Sequence, residues 1–270
     1  MTQEIPAAVP VRPAATLILV RDAPEGLQCL MITRHVGIAF AGGAAVFPGG
    51  RVDATEDAAL CRLARNPAGL SAEELMFRVA AVRETFEEAG ILLACAGGSD
   101  RLLSEAPAMP PGSLAEQLQA TGLELATDRL VAFAHWITPA SEAKRFDTRF
   151  YLAALPADHG GVHAADGGEA VHAGWITPAE GIAAFESDRM VLLPPTLYSL
   201  QRLAKCRSAA DAIAEAKVTP VVTVLPVLEF TPEGVYHNVP AEAGLGYTRH
   251  LIRSSVATLL KGGAKAPKPS

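Results

Sequence analysis

The segment from Ser71 to Gly90 constrains the fold more than any other part of this sequence. Ser71 and Glu74 have the spacing of a capping box at a helix start, and Gly90 is a residue type that commonly ends a helix. Between them, apolar residues recur at spacings of four, three and four, at Leu75, Val79, Val82 and Phe86. The pattern predicts an amphipathic helix with one face packed on a core.

Three carboxylates near the end of this helix are the main candidates for chemistry. Glu84, Glu87 and Glu88 stand at i, i+3 and i+4, so they project from one side of the helix. Such crowding raises at least one carboxylate pKa unless a cation lies among them, and Arg83 satisfies only part of that demand. A divalent cation such as Mg²⁺ would satisfy the rest, because it prefers oxygen ligands. The alternative interpretation is a solvated charged face, which is commoner on an arbitrary helix.

Apolar runs elsewhere in the chain predict strands that alternate with helices. The strands are expected at 14–20, 28–33, 130–137, 149–154 and 171–176. Further helices are expected near 114–120, after Thr177-Pro178, after 195 and at 208–217. The alternation indicates the α/β (α+β) class.

The chain divides into four parts on this pattern. Residues 1–13 are expected to be a flexible N-terminus and 14–190 the main domain. A C-terminal extension, 191–260, would pack helices and a hairpin (221–230 with 235–239) on that domain, and a basic tail, 261–270, is expected to be disordered.

Composition excludes several classes of protein. The net charge of -6 gives no global attraction for polyanions, so nucleic acid is not expected as a partner and phosphates must be bound locally. The four cysteines form no CxxC pair, which fits reduced thiols better than a disulfide framework or a zinc site. The start has no signal-peptide pattern, and no run approaches about 20 apolar residues. We therefore expect a cytoplasmic protein with no membrane partner.

Residues around the predicted helix resemble the two halves of the Nudix box. Gly50 is followed by five residues and Glu56, and residues 83–91 read Arg-Glu-Thr-Phe-Glu-Glu-Ala-Gly-Ile. The second half matches at every fixed position except the first apolar one, Thr85. Between the halves lie 26 residues, 57–82, where the family pattern has seven, so 19 are inserted. A loop insertion costs little closure entropy, but it leaves open whether Glu56 reaches a metal or pairs with Arg83.

Four further segments resemble one subgroup of that family, which includes the acyl-coenzyme A diphosphatases. They are 47–50 (Phe-Pro-Gly-Gly), 136–139 (Trp-Ile-Thr-Pro), 145–150 (Arg-Phe-Asp-Thr-Arg-Phe) and 193–195 (Leu-Pro-Pro). The resemblance implies the Nudix fold, a mixed β-sheet between helices. It also implies Mg²⁺- or Mn²⁺-dependent hydrolysis of CoA and its thioesters to 4'-phosphopantetheine derivatives and adenosine 3',5'-bisphosphate. Many Nudix proteins are homodimers, so a homodimer is possible here.

The resemblance assigns roles to several residues. Glu84, Glu87 and Glu88, with the Gly50 carbonyl, are expected to bind the metal, and Glu87 is our choice of general base. Glu169 precedes the strand at 171–176, where many Nudix enzymes place a loop glutamate that serves as metal ligand or base. A solvated turn glutamate is the competing interpretation of Glu169.

The substrate is less constrained than the chemistry. Arg34 and Arg145 are predicted to contact substrate phosphates, with ordinary surface arginine as the alternative for each. Several CoA-cleaving Nudix enzymes carry an Arg and a His where this chain has Ala39 and Ala41. The subgroup resemblance makes CoA or acyl-CoA the lead substrate. Because Ala39 and Ala41 remove the expected basic pair, ADP-ribose, NADH or a dinucleoside polyphosphate is the alternative. A non-catalytic Nudix-fold binding module is a further hypothesis, but the intact second half of the box speaks against it.

Overall fold

The structure is a computed structural model that describes residues 9–34, 43–156, 159 and 170–252. The strands of this part are β1 (Val11–Ala23), β2 (Gly26–Arg34), β3 (Ala45–Val46), β4 (Gly49–Arg51), β5 (Ala94–Ala96), β6 (Leu123–Leu125), β7 (Val131–Ile137), β8 (Arg145–Ala154), β9 (Ala170–Ile176), β10 (Thr223–Val224), β11 (Val227–Thr231), β12 (Gly234–Asn238) and β13 (Arg249–Leu251). Its α-helices are α1 (Glu56–Leu60), α2 (Ala72–Ala89), α3 (Leu114–Thr121), α4 (Pro178–Glu186), α5 (Pro194–Leu203) and α6 (Ala209–Val218).

A mixed sheet organises the described residues. Its main path runs β10-β7-β8-β1-β2-β3, with β4 paired to β1 and β9 paired to β2. Strand β1 lies antiparallel to β2 and β4 but parallel to β8. The combination of a mixed sheet and helices confirms the predicted α/β (α+β) class.

Both faces of this sheet are covered. Along β1 the buried side chains alternate between the two faces of the sheet. Leu17 and Leu19 pack in the core that includes residues of α2 and α3. Ile18 and Val20 pack in the core that includes residues of α4, α5 and α6. The alternation places the sheet between two helical layers.

Helix α2 has the ends that the sequence predicts. The Ser71 hydroxyl accepts the Glu74 N–H at 3.1 Å, and Gly90 ends the helix with a left-handed φ of 70°. The Glu74 carboxylate is not used as a reciprocal cap, because it accepts bonds from Arg78, Arg149 and Tyr151. These bonds fix the start of α2 against β8.

The outer parts of the chain differ in detail from the prediction. Strand β1 begins at Val11, inside the segment 1–13 that was expected to be flexible, because this end pairs with the start of β8. The run 221–230 is two strands and not one arm of a hairpin, since β10 pairs with β7 of the main sheet and only β11 pairs with β12. The described helices include none with the length and apolar character needed to cross a membrane. The tail, 261–270, lies outside the described residues.

Candidate functional site

A buried arginine on α2 joins the elements of the candidate site. The side chain of Arg83 is 5% exposed. Its Nε and Nη2 donate to the two carboxylate oxygens of Asp57 at 2.8 and 3.3 Å, and Nη2 also donates to the Arg51 carbonyl at 2.9 Å. Its Nη1 donates to Glu84 and to Glu87, each at 3.0 Å. We call Asp57, Arg83, Glu84 and Glu87 the Arg83 cluster.

Asp57 is the residue of this cluster that the sequence analysis missed. It lies in α1 with 0% exposure, and its second oxygen also accepts the Asp53 N–H at 2.7 Å. Asp53 in turn accepts the N–H groups of Thr55 and Glu56, which fixes the start of α1. The pairing with Arg83 that was considered for Glu56 therefore belongs to its neighbour. Asp53, three residues before Glu56, is a sequence signal for the start of α1, but it gives no indication that Asp57 pairs with Arg83.

Glu84 and Gly50 are in direct contact. A Cβ at Gly50 would overlap the Glu84 carboxylate, so only glycine leaves room for this side chain beside β4. Burial raises the pKa of Glu84 to about 7, against the opposing charge of Arg83 and with a smaller contribution from Glu87. The carboxylate thus lies where a cation would stabilise its charged form.

Glu87 and Glu88 differ in exposure and in partner. Glu88 is buried, and one of its oxygens accepts the Gly49 N–H at 2.8 Å. The side chain of Glu87 is 46% exposed. Partial burial raises the Glu87 pKa, Arg83 lowers it, and the charge of Glu56 raises it again. The two glycines of β4 therefore contact two carboxylates of α2, Gly49 with Glu88 and Gly50 with Glu84.

Thr85 departs from the apolar residue of the family pattern without disturbing the helix. It is fully buried, and its hydroxyl donates to the Ala81 carbonyl at 2.7 Å. The bond satisfies the only polar group that the side chain introduces.

The donor set fits a hard divalent cation by its chemistry. It offers crowded carboxylates with raised pKa values and a glycine at the point where a larger residue would displace one of them. Among the described residues, however, no three His, Cys, Asp or Glu side chains are placed so as to hold a metal ion. Glu84 and Glu87 bond to Arg83, and Glu88 bonds to Gly49.

Arg145 is not brought to the Arg83 cluster. Arg145 donates to the carbonyls of Thr138 and Val9 at 3.1 and 3.4 Å. It pairs with Val11 of β1, whereas Gly50 pairs with Ala15, so about 13 Å of strand separates the two positions.

Two predicted residues cannot be placed against the cluster. Arg34 ends β2, but its side chain lies outside the described part, as does the whole of Glu169. Their roles, and that of Arg145, stay predictions.

Comparison with a known family accounts for this arrangement. The family model described as the NUDT19 Nudix domain matches residues 62–203, more than half of the chain. The chain belongs to the Nudix hydrolase family. The match includes all of α2 and begins inside the insertion, so it supports the second half of the box directly. A Nudix hydrolase is an enzyme, which favours turnover over the binding-module hypothesis.

Similar proteins support the same assignment. The acyl-coenzyme A diphosphatase NUDT19 of Gallus gallus is 29% identical, with 74% of this chain and 70% of that protein covered. Putative nudix hydrolase 7 of Caenorhabditis elegans is 33% identical, with 73% of this chain and 61% of that protein covered. A crystal structure of a NUDIX hydrolase from Alicyclobacillus acidocaldarius superposes with a TM-score of 0.68 at 28% identity, covering 79% of this chain and 100% of that one. The predicted Nudix fold is thereby confirmed.

Proposed function

We propose that this Nudix hydrolase cleaves the diphosphate of CoA or an acyl-CoA. The proposed chemistry rests on the contact of Glu84 with Gly50, which lies beside the buried Arg83–Asp57 pair. This contact brings together residues from the two halves of the Nudix box. The similarity to an acyl-coenzyme A diphosphatase over most of both chains supports the choice of substrate.

The proposed ligands of a divalent cation, Mg²⁺ or Mn²⁺, are the carboxylates of Glu84, Glu87 and Glu88 and the carbonyl of Gly50. A bound cation would supply positive charge against the diphosphate and make a nearby water more acidic. The raised pKa values of Glu84 and Glu87 support this assignment, since burial disfavours their charged forms by more than Arg83 favours them.

The residues of the chain have distinct parts in the proposed reaction. Arg83 orients Glu84 and Glu87 through one nitrogen, and Asp57 holds Arg83 in place. Glu87, the more exposed of the two, accepts a proton from the attacking water as general base. The water oxygen forms a bond to one phosphorus, and the bond from that phosphorus to the bridging oxygen breaks. Glu169 is proposed as a further metal ligand or base. Arg34 and Arg145 are proposed to contact the substrate phosphates.

Substitution of the carboxylates tests the chemistry. We expect Glu87→Gln and Glu88→Gln each to lower kcat by about 10³-fold with Mg²⁺ present, because each removes a charge that the proposed site requires. Glu105→Gln, at an exposed position in the loop before α3, is the matched control and should leave kcat unchanged. Wild-type rates in both active-site variants would show that the assignment is wrong.

A substrate panel tests the specificity. We expect kcat/KM for the cleavage of CoA and acyl-CoA to be higher than kcat/KM for the cleavage of ADP-ribose, NADH or diadenosine polyphosphates. A preference for one of the latter would replace the proposed substrate and leave the proposed chemistry intact. No cleavage of any of them with Mg²⁺ or Mn²⁺ would favour a different diphosphate.

Location, assembly and domain division are part of the proposal. All four cysteines are free thiols, which supports a reducing compartment such as the cytoplasm. The family membership supports a homodimer, for which light scattering is the direct measurement. The proposed division at 190 falls between α4 and α5, and β10 of the proposed extension adds a strand to the main sheet beside β7.

A further inference from the structure

A concave site lies beside the first turns of α2, the helix that carries the proposed carboxylate ligands. It is a cleft of about 320 Å³ between the start of β1, the end of β4, the first turns of α2 and the start of β8. Its lining is mostly apolar, with Val11, Pro13, Val52, Met76 and Phe77, and it includes the carboxylates of Glu73 and Asp147. We call it the Val52 cleft.

Helix α2 and strand β4 both run from the proposed diphosphate site to this cleft. Gly50 of β4 contacts Glu84, and Val52, two residues later, lines the cleft. On α2, Met76 lies eight residues before Glu84, which corresponds to about 12 Å along the helix axis. The cleft is therefore a short, fixed distance from the carboxylates.

The charges of the cleft exclude a phosphate as its ligand. Glu73 pairs with Arg149, and Asp147 contacts His135, so both carboxylates already have partners within the protein. The residues that line the cleft include no Lys or Arg. An uncharged apolar group is the chemistry that this surface can accept.

We propose that the Val52 cleft binds the acyl chain of an acyl-CoA substrate whose diphosphate lies at the carboxylates of α2. This inference rests on the proposed function. The pantetheine arm between diphosphate and sulfur has about as many bonds as four extended residues, which reach about 14 Å. That reach matches the separation of Met76 from Glu84. At ~30 Å³ for each methylene, taken as comparable to water, the cleft of about 320 Å³ has room for a chain of about ten carbons.

A chain-length series on the wild-type enzyme is the first test. With Mg²⁺ present, kcat/KM is measured for CoA and for acetyl-, butanoyl-, hexanoyl- and octanoyl-CoA. We expect kcat/KM to rise about twofold for each added methylene. Full burial of a methylene would give a rise of roughly fourfold, and the rise should be smaller here because the cleft is open to solvent. Equal kcat/KM along the series would overturn the inference while leaving the proposed function intact.

Substitutions inside and outside the cleft test whether the acyl chain binds there. Val11 is 40% exposed in the cleft, and Val218 is 79% exposed at the end of α6 and does not line the cleft. Val11→Asp should lower the ratio of kcat/KM for octanoyl-CoA to that for CoA by about tenfold, and Met76→Glu should do the same from the opposite wall. Val218→Asp should leave the ratio at the wild-type value.

The outcomes separate the inference from the proposed function. A wild-type ratio in both cleft variants, with CoA still cleaved, would place the acyl chain elsewhere and overturn the inference alone. Failure of the wild-type enzyme to cleave either CoA or octanoyl-CoA would overturn both.

Discussion

Asp57 is the buried partner of the arginine that contacts two of the proposed metal ligands. Its carboxylate is completely buried, and it holds the guanidinium that orients Glu84 and Glu87. Burial alone would lower the pKa of Arg83, but the bonds to Asp57 and the charges of Glu84 and Glu87 raise it above its ordinary value. Arg83 therefore stays charged, and its burial depends on its partners.

Substitution of Asp57 is expected to affect both stability and turnover. Asp57→Asn leaves Arg83 buried with one countercharge fewer, so the free energy of unfolding should fall by about 3 kcal/mol. The less constrained Arg83 should also lower kcat. Urea unfolding and steady-state kinetics on the same preparation measure the two effects.

The neighbouring residue provides the control for this substitution. Glu56→Gln alters a half-exposed side chain and should change the free energy of unfolding by less than about 0.5 kcal/mol. A larger loss from Glu56→Gln than from Asp57→Asn would contradict the assignment of Asp57 as the partner of Arg83.

At the scale of elements, β4 has different neighbours at its two glycines. A Cβ at Gly50 would meet the end of the Glu84 side chain, which can move, whereas a Cβ at Gly49 would meet the backbone of Ala15 and Thr16 in β1, which cannot. The same substitution should therefore act on catalysis at one position and on folding at the other.

Alanine substitutions separate the two roles. Gly50→Ala should lower kcat/KM by about 100-fold through displacement of Glu84, with less than about 1 kcal/mol lost from the free energy of unfolding. Gly49→Ala should lower the free energy of unfolding by at least about 2 kcal/mol, because β4 must separate from β1. Thermal unfolding and activity are measured for both variants. Equal effects of the two substitutions on stability would contradict this account.

The elements that the sequence predicted correctly are those with local signals. Helix α2 carried its own cap, its apolar spacing and its terminal Gly90, and α4 carried Thr177 and Pro178. The pairing of Asp57 with Arg83 had no local signal, since 25 residues intervene and their contact depends on tertiary packing. The separation of β10 from β11 was missed for the same reason, because only the pairing with β7 distinguishes them.

For the molecule as a whole, the C-terminal sheet introduces a dependence of stability on pH. Strand β12 is central in the sheet β11-β12-β13, and its His237 is buried beside His250 of β13. Burial lowers the pKa of His237 from 6.5 to about 4, with a smaller contribution from His250. Between these values the unfolded chain binds a proton that the folded protein does not, so stability falls as pH falls.

The magnitude follows from the two pKa values. The free energy of unfolding should decrease by about 2 kcal/mol between pH 7 and pH 5 on account of this group. His237→Phe should remove that part of the decrease. Urea unfolding of both proteins at the two pH values measures it, and identical decreases would show that His237 is not the cause.

The geometry of α2 explains why the long insertion in the Nudix box leaves the arrangement of its glutamates unchanged. Of the 26 residues between the box halves, 57–71 lie in α1 and the loop after it, and only 72–82 lie in α2. Because a helix turns by a constant angle for each residue, Glu84, Glu87 and Glu88 keep their orientation relative to Gly90 whatever precedes Arg83. The proposed carboxylate ligands thus all lie in the last two turns of α2, and the length ahead of them is free to vary as long as Asp57 contacts Arg83. The segment between the box halves can therefore differ in length without changing how the proposed carboxylate ligands are arranged on the helix.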